Sequence, residues 1–230
     1  MWLNLFICLL LAHLVADYVL QTDKVCLHQF DKKWCSIYHY MHALIVFGLS
    51  WLAAFNIDFW WCAMIICVTH FGIDLWKSYC KNNVAWFVID QISHILVLIG
   101  VAWLWGETHC WQVPLGISMH WIVTAAAVIV CWKPANIFIK LLLKYYSVNL
   151  PDNNTNEFNA GALTGTLERW LILIFICLQQ YEALGFLIAA KSIIRFRETE
   201  TAKTEYVLVG TLLSIFIAVV AGLILKTIDY

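Results

Sequence analysis

Between Phe59 and Lys77 the chain reads FWWCAMIICVTHFGIDLWK. As a helix rising about 1.5 Å per residue, this stretch comes close to crossing a hydrocarbon core of roughly 30 Å. It holds one imidazole, His70, and one carboxylate, Asp74, four residues apart. An apolar run of this length argues that lipid surrounds the helix, and an ionisable pair inside it asks what it faces.

Further runs of the same length flank it. Seven spans are predicted, at about Trp2 to Gln21, Tyr38 to Asn56, Phe59 to Lys77, Val84 to Trp105, Leu115 to Trp132, Trp170 to Ala190 and Tyr206 to Lys226. Composition agrees, with 63% hydrophobic and 13% charged residues and a mean hydropathy of +0.78. These values belong to a chain solvated by lipid. A net charge of −1 without a basic patch excludes nucleic-acid binding. The nine cysteines form neither a CxxC knuckle nor a disulfide framework; Cys8, Cys62, Cys67, Cys131 and Cys177 sit in apolar runs as small hydrophobes. The N-terminal run lacks a basic start and a cleavage site, and is expected to be a retained first span.

The sequence therefore predicts an all-α fold, a polytopic membrane helix bundle of about seven transmembrane helices. Residues 1–147 form an N-terminal bundle, 148–160 a polar linker (PDNNTNEFN lies within it), and 161–230 the helices that complete the bundle. Trp60, Trp61, Trp103, Trp105 and Trp111 are expected at one interface as an aromatic belt. After Pro134, the segment Ala135 to Tyr146 reads either as an interfacial amphipathic helix or as the continuation of a kinked fifth span.

Lysines crowd the odd loops (Lys24, Lys32, Lys33, Lys77, Lys81, Lys140, Lys144), which places those loops in the cytoplasm and the N-terminus outside. One region disagrees. Lys191, Arg195, Arg197 and Lys203 fall outside if Trp170 to Ala190 crosses simply, unless that segment is re-entrant.

Three spans carry a His and an Asp at i, i+4, one above the other on a helix face: His13 and Asp17, His70 and Asp74, Asp90 and His94. His39 and His42 open the second span, and Glu168 and Arg169 precede the sixth. Measured from the cytoplasmic ends, Asp17, His42, Asp74, Asp90, Glu168, His13, His70 and His94 share one slab roughly 5 to 15 Å deep. His120 lies outside it. Each ionisable group costs roughly 2.5 to 3.5 kcal/mol at a helix centre, so these side chains must face one another, a cation or water.

Imidazoles and carboxylates on facing helices are how helical bundles hold divalent transition metals. The expected ligands are His13, Asp17, His42, His70, Asp74, Asp90 and His94, with zinc the first candidate and a second metal or outer carboxylates for the surplus. Asp17, Asp74, Asp90 and Glu168 are the candidate proton acceptors, and Gln91 and Arg169 the candidate substrate contacts, Arg169 for an anionic headgroup. Glu168, Gln179 and Glu182 are expected on one stripe of the sixth helix. A lipid-like substrate reaching the slab laterally, and hydrolysis, follow as expectations. A proton- or ion-coupled transporter and a noncatalytic partner subunit with a structural polar core are the competing classes.

The runs LLLAHLVADYVLQTDK, MHALIV, HFGIDLWKS, FVIDQISHILV, GTLERWLIL, QQYEALGFLIAAKSIIRF and EYVLVGTLLS resemble the bacterial integral membrane domain-of-unknown-function family 3307 over nearly the whole chain. The resemblance implies a bacterial inner-membrane address and no activity. The clustered His and Asp residues are loosely similar to those of membrane-bound metal-dependent hydrolases, a likeness from which no residue role is carried over.

Overall fold

The computed structural model describes residues 2–109, 111, 117–146, 155–195 and 201–228. All regular structure among them is helical, and the chain divides into two compact units, Met1–Ile129 and Val130–Tyr230.

In the first unit, α1 (Trp2–Leu14) runs on into a π-helical turn (Val15–Leu20), and α2 (Asp23–Lys32) follows as a short helix. Then come α3 (Ile37–Ala54), α4 (Trp60–Tyr79), α5 (Val84–Thr108) and α6 (Met119–Val130). Local chemistry sets the joints. Phe55 ends α3 in the left-handed region at φ 46°, and the Asn56 side chain accepts from the Asp58 N–H at 2.9 Å just before α4. Asn83 caps α5, its Oδ1 accepting from the Trp86 N–H at 2.9 Å. Loops this short make consecutive helices antiparallel.

Helices α1, α3, α4 and α5 close into a ring, α1 packing on α3 and α5, and α4 on the same two. The ring is apolar through one end, with Leu5, Leu9, Val46, Phe59, Ile66 and Leu98 buried. Trp105 and Trp111 are buried there too, Trp105 edge-on to Phe59 with centroids 5.1 Å apart and Trp111 donating Nε1–H to the Ala54 carbonyl at 2.7 Å. The aromatic belt is therefore divided: Trp60, Trp61 and Trp103 face outward, while Trp105 and Trp111 plug the bundle. Close helix approach needs Gly106, where a Cβ would stand 2.6 Å from the Cβ of Trp2.

The second unit contains α7 (Lys133–Tyr145), α8 (Thr155–Cys177), α9 (Tyr181–Arg195) and α10 (Thr201–Ile228). Helix α8 starts inside the stretch read as linker; residues 147–154 lie outside the described ones. Pro134 in the first turn of α7 has no N–H to give to the preceding turn, and the helix breaks at Trp132 (φ −97°, ψ −107°). Arg169 repairs that break. Fully buried, it donates Nε–H to the Cys131 carbonyl at 2.6 Å, Nη1–H to Ser214 Oγ at 2.8 Å and Nη2–H to Asn136 Oδ1 at 2.6 Å. A backbone carbonyl at the break is thus satisfied from a neighbouring helix.

The predicted span Trp170 to Ala190 is corrected. It is broken at Leu178–Gln180, with Gln179 at φ 57°, into an α8–α9 hairpin. Glu168, Gln179 and Glu182 therefore do not form one helical stripe. Lys191 is ion-paired with Glu168, so α9 returns to the level at which α8 carries Glu168. Lys191 thus lies on a segment that has turned back, the re-entrant alternative open to this stretch; Arg197 lies outside the described residues. Helix α10 lies along α8 in parallel, since Ser214 meets Arg169 and Lys226 meets the Tyr181 hydroxyl. Gly222 permits this contact, for a Cβ there would stand 2.6 Å from Cδ1 of Ile176.

Six helical stretches among the described residues are long and apolar enough to cross a membrane: Trp2–Leu20, Ile37–Ala54, Ile57–Tyr79, Val84–Thr108, Met119–Tyr145 and Leu208–Thr227. The first five and the last of the expected spans are matched by these six, and Trp170 to Ala190 is the one that folds back. Leu44, Leu52, Val68, Leu96 and Trp121 are each more than 60% exposed on such helices. Apolar outside with histidines inside fits a multi-pass membrane protein.

Two measurements check this architecture. Topology reporters fused after Tyr145 and after Ile193 will report the same side of the membrane; opposite sides would restore a full crossing by Trp170 to Ala190. Arg169→Met, which strands the Cys131 carbonyl, Ser214 and Asn136, will lower stability in detergent by about 3 kcal/mol. Lys191→Met, at a partly exposed ion pair, will cost less than about 1 kcal/mol.

Candidate metal centre

Opposite the apolar plug, the ring of α1, α3, α4 and α5 holds a cluster of imidazoles and carboxylates. His13 comes from the end of α1, Asp17 from the π turn, His42 from the second turn of α3, His70 and Asp74 from α4, and Asp90 and His94 from α5. The π turn matters because Gln21 N–H bonds the Ala16 carbonyl five residues back at 3.1 Å, widening the helix where Asp17 leaves it. All four histidines are at most 4% exposed, and Asp90 is 6% exposed.

Four atoms form the centre of the cluster. His42 Nε2 and His70 Nε2 are 3.0 Å apart. Asp17 Oδ1 stands 3.3 Å from His42 Nε2 and 3.5 Å from His70 Nε2. Asp74 Oδ2 stands 3.6 Å from His42 Nε2 and 3.3 Å from His70 Nε2. Ligands about 2.0 Å from a tetrahedral ion stand about 3.3 Å from one another, so these five separations, which join the two imidazoles to each other and to each carboxylate, have the size of ligand–ligand distances around one ion.

The remaining members surround these four. His13 Nδ1 lies 3.6 Å from Asp17 Oδ1, and His94 Nε2 lies 3.4 Å from Asp74 Oδ1. Three groups have ligand atoms within 4.8 Å of one another: His13, Asp17 and His70; His42, His70 and Asp74; Asp74, Asp90 and His94. His70 and Asp74 each belong to two of them. A cavity of about 10 Å³, bounded by His13, His70 and His94 and by Val46, Ile66 and Leu98, has room for roughly one water.

Each residue expected at the site has a definite place. His13, Asp17, His42, His70, Asp74, Asp90 and His94 come together. In α5 the expected i, i+4 partnership gives way to contacts across helices, His94 turning to Asp74 and Asp90 to Lys77, whose Nζ lies 2.8 Å from Asp90 Oδ2. Gln91 donates to the same Asp90 oxygen at 3.1 Å, so it orients a carboxylate. Glu168 and Arg169 belong to the second unit, where Glu168 pairs with Lys191 and the Arg169 guanidinium is committed to Cys131, Ser214 and Asn136. His120 is in none of the three groups.

Two residues near the cluster went unassigned by spacing. Lys77 reads in the sequence as a loop charge that orients the protein; its place one turn beyond Asp74 on α4 was the available signal. His39, one turn before His42, is buried, its ring edge-on to Phe71 with centroids 6.2 Å apart.

No curated protein and no solved structure matches the chain. A family does. The sequence profile described as "Protein of unknown function (DUF3307)" matches residues 5–123, which contain all seven residues of the cluster. That match covers just over half of the 230 residues, and the chain belongs to this family.

Proposed function

We propose that the protein is a multi-pass protein of a bacterial inner membrane that holds a divalent transition metal, zinc first, and hydrolyses a lipid or lipid-linked substrate. The observation that carries the metal is the five separations of 3.0 to 3.6 Å that join His42 Nε2 and His70 Nε2 to each other and to Asp17 Oδ1 and Asp74 Oδ2. Two imidazole nitrogens facing two carboxylate oxygens, without thiolate, suit zinc, manganese or iron. A cation there would also offset carboxylates that burial makes costly.

A divalent ion so placed supplies Lewis acidity and activates water at neutral pH. The chain's own groups would do the rest. His13, whose Nε2 has no hydrogen-bond partner and which borders the cavity, is positioned to accept a proton. Asp17, 3.6 Å from His13 Nδ1, would orient that ring. A cluster enclosed by apolar helices is approached by a lipid-like molecule more readily than by a soluble one. The continuous contact from Asp17 through His42 and His70 to Asp74 and His94 also favours a second reading, a proton relay that needs no metal.

Purification in detergent without chelator will leave a divalent transition metal bound, and elemental analysis will show its loss from His42→Ala and His70→Ala but not from His120→Ala. Less than about a tenth of an equivalent in the wild type would overturn the metal reading in favour of the relay. If the metal is hydrolytic, the holoprotein will release products from a membrane lipid extract, detectable by mass spectrometry and abolished by chelator.

A further inference from the structure

Asp74 uses its two oxygens differently. Oδ2 faces His42 and His70, whereas Oδ1 faces His94, with Nε2 at 3.4 Å. A carboxylate with separate imidazoles at its two oxygens has the arrangement that bridges two cations in two-metal sites, where the ions stand about 3.5 to 4 Å apart.

The groups beyond Asp74 Oδ1 match a second ligand set. Ligand atoms of Asp74, Asp90 and His94 lie within 4.8 Å of one another. His94 Nε2 and Asp90 Oδ1 are both buried without a hydrogen bond, although their residues are only 3% and 6% exposed. An acceptor atom left in that state is costly unless something else satisfies it. The other oxygen of Asp90 is committed, to Lys77 Nζ at 2.8 Å and Gln91 Nε2 at 3.1 Å. Those two bonds hold the carboxylate so that Oδ1 remains for another partner.

Charge by itself calls for one ion, and what it adds is the character of a site that holds two. Asp17, Asp74 and Asp90 bring three negative charges against the single positive charge of Lys77, and the four histidines can be neutral ligands. One divalent ion balances that excess, and a second makes the site electropositive and able to draw an anion.

We infer that the cluster is a two-metal centre: a second divalent transition cation binds between Asp74 Oδ1, Asp90 Oδ1 and His94 Nε2, with Asp74 bridging it to the first. This rests on the proposed metal at His42, His70, Asp17 and Asp74, and the test separates the two claims. The full chain, purified in detergent from cells supplied with manganese, is analysed for metal per chain and by electron paramagnetic resonance. The wild type will carry about two equivalents and show the multiline signal of exchange-coupled manganese ions. Asp90→Asn and His94→Ala will each keep about one equivalent and give the six-line signal of isolated manganese. Asp74→Asn will lose the coupling.

One equivalent in the wild type, with an uncoupled signal that Asp90→Asn and His94→Ala leave unchanged, overturns the second site and leaves the first standing. No metal in the wild type overturns both. Should the variants fail to elute as folded protein, the coupled or uncoupled spectrum of the wild type decides alone.

Discussion

Carboxylates and imidazoles set among hydrocarbon-facing helices have to be satisfied from within the protein, and Asp74 is where this requirement is most concentrated. Its two oxygens meet His42 and His70 on one side and His94 on the other, so one residue of α4 touches side chains of α3, α4 and α5. Asp17 brings α1 into the same arrangement. Four helices are thereby held at one end by polar contacts and at the other by close packing around Phe59 and Trp105. The two ends are specified by different physics. Packing at the apolar end tolerates conservative exchange of volume, whereas a polar group removed at the other end leaves its partners stranded in a low dielectric.

Departures from regular helix occur where chemistry asks for them. The π turn at Val15–Leu20 lies at Asp17, and the interruption at Trp132 follows from Pro134 and is stabilised by Arg169. The turn at Gln179 lets an apolar segment double back. In the bilayer that the six apolar helices fit, each interruption leaves backbone groups to be satisfied by the chain, and Arg169 shows how one side chain can do this while also bonding a hydroxyl and an amide oxygen.

Much of this was present in the order of residues. Long apolar runs require helices that face lipid, because an α-helix satisfies its own backbone, and the all-α architecture follows. Spacing also placed His13, His70 and His94 each one turn from an Asp, and alternating helix directions put all seven residues of the cluster at one end of the ring. His and Asp at that depth demanded partners whatever the fold. Apolarity alone could not count the crossings. Trp170 to Ala190 has the composition of a span, and only the left-handed turn at Gln179 and the pairing of Lys191 with Glu168 make it a hairpin.

Which partner each side chain takes was decided by tertiary structure. Within one helix Asp90 and His94 look like a pair; with α4 alongside, Lys77 takes Asp90 and Asp74 takes His94. Arg169, polar and beside a span, reads as a contact for a headgroup until Cys131, Asn136 and Ser214 close around it. Periodicity fixes which face of a helix a residue occupies. Its partner depends on which helices are neighbours and at what height they cross, and those are set by packing summed over the whole bundle.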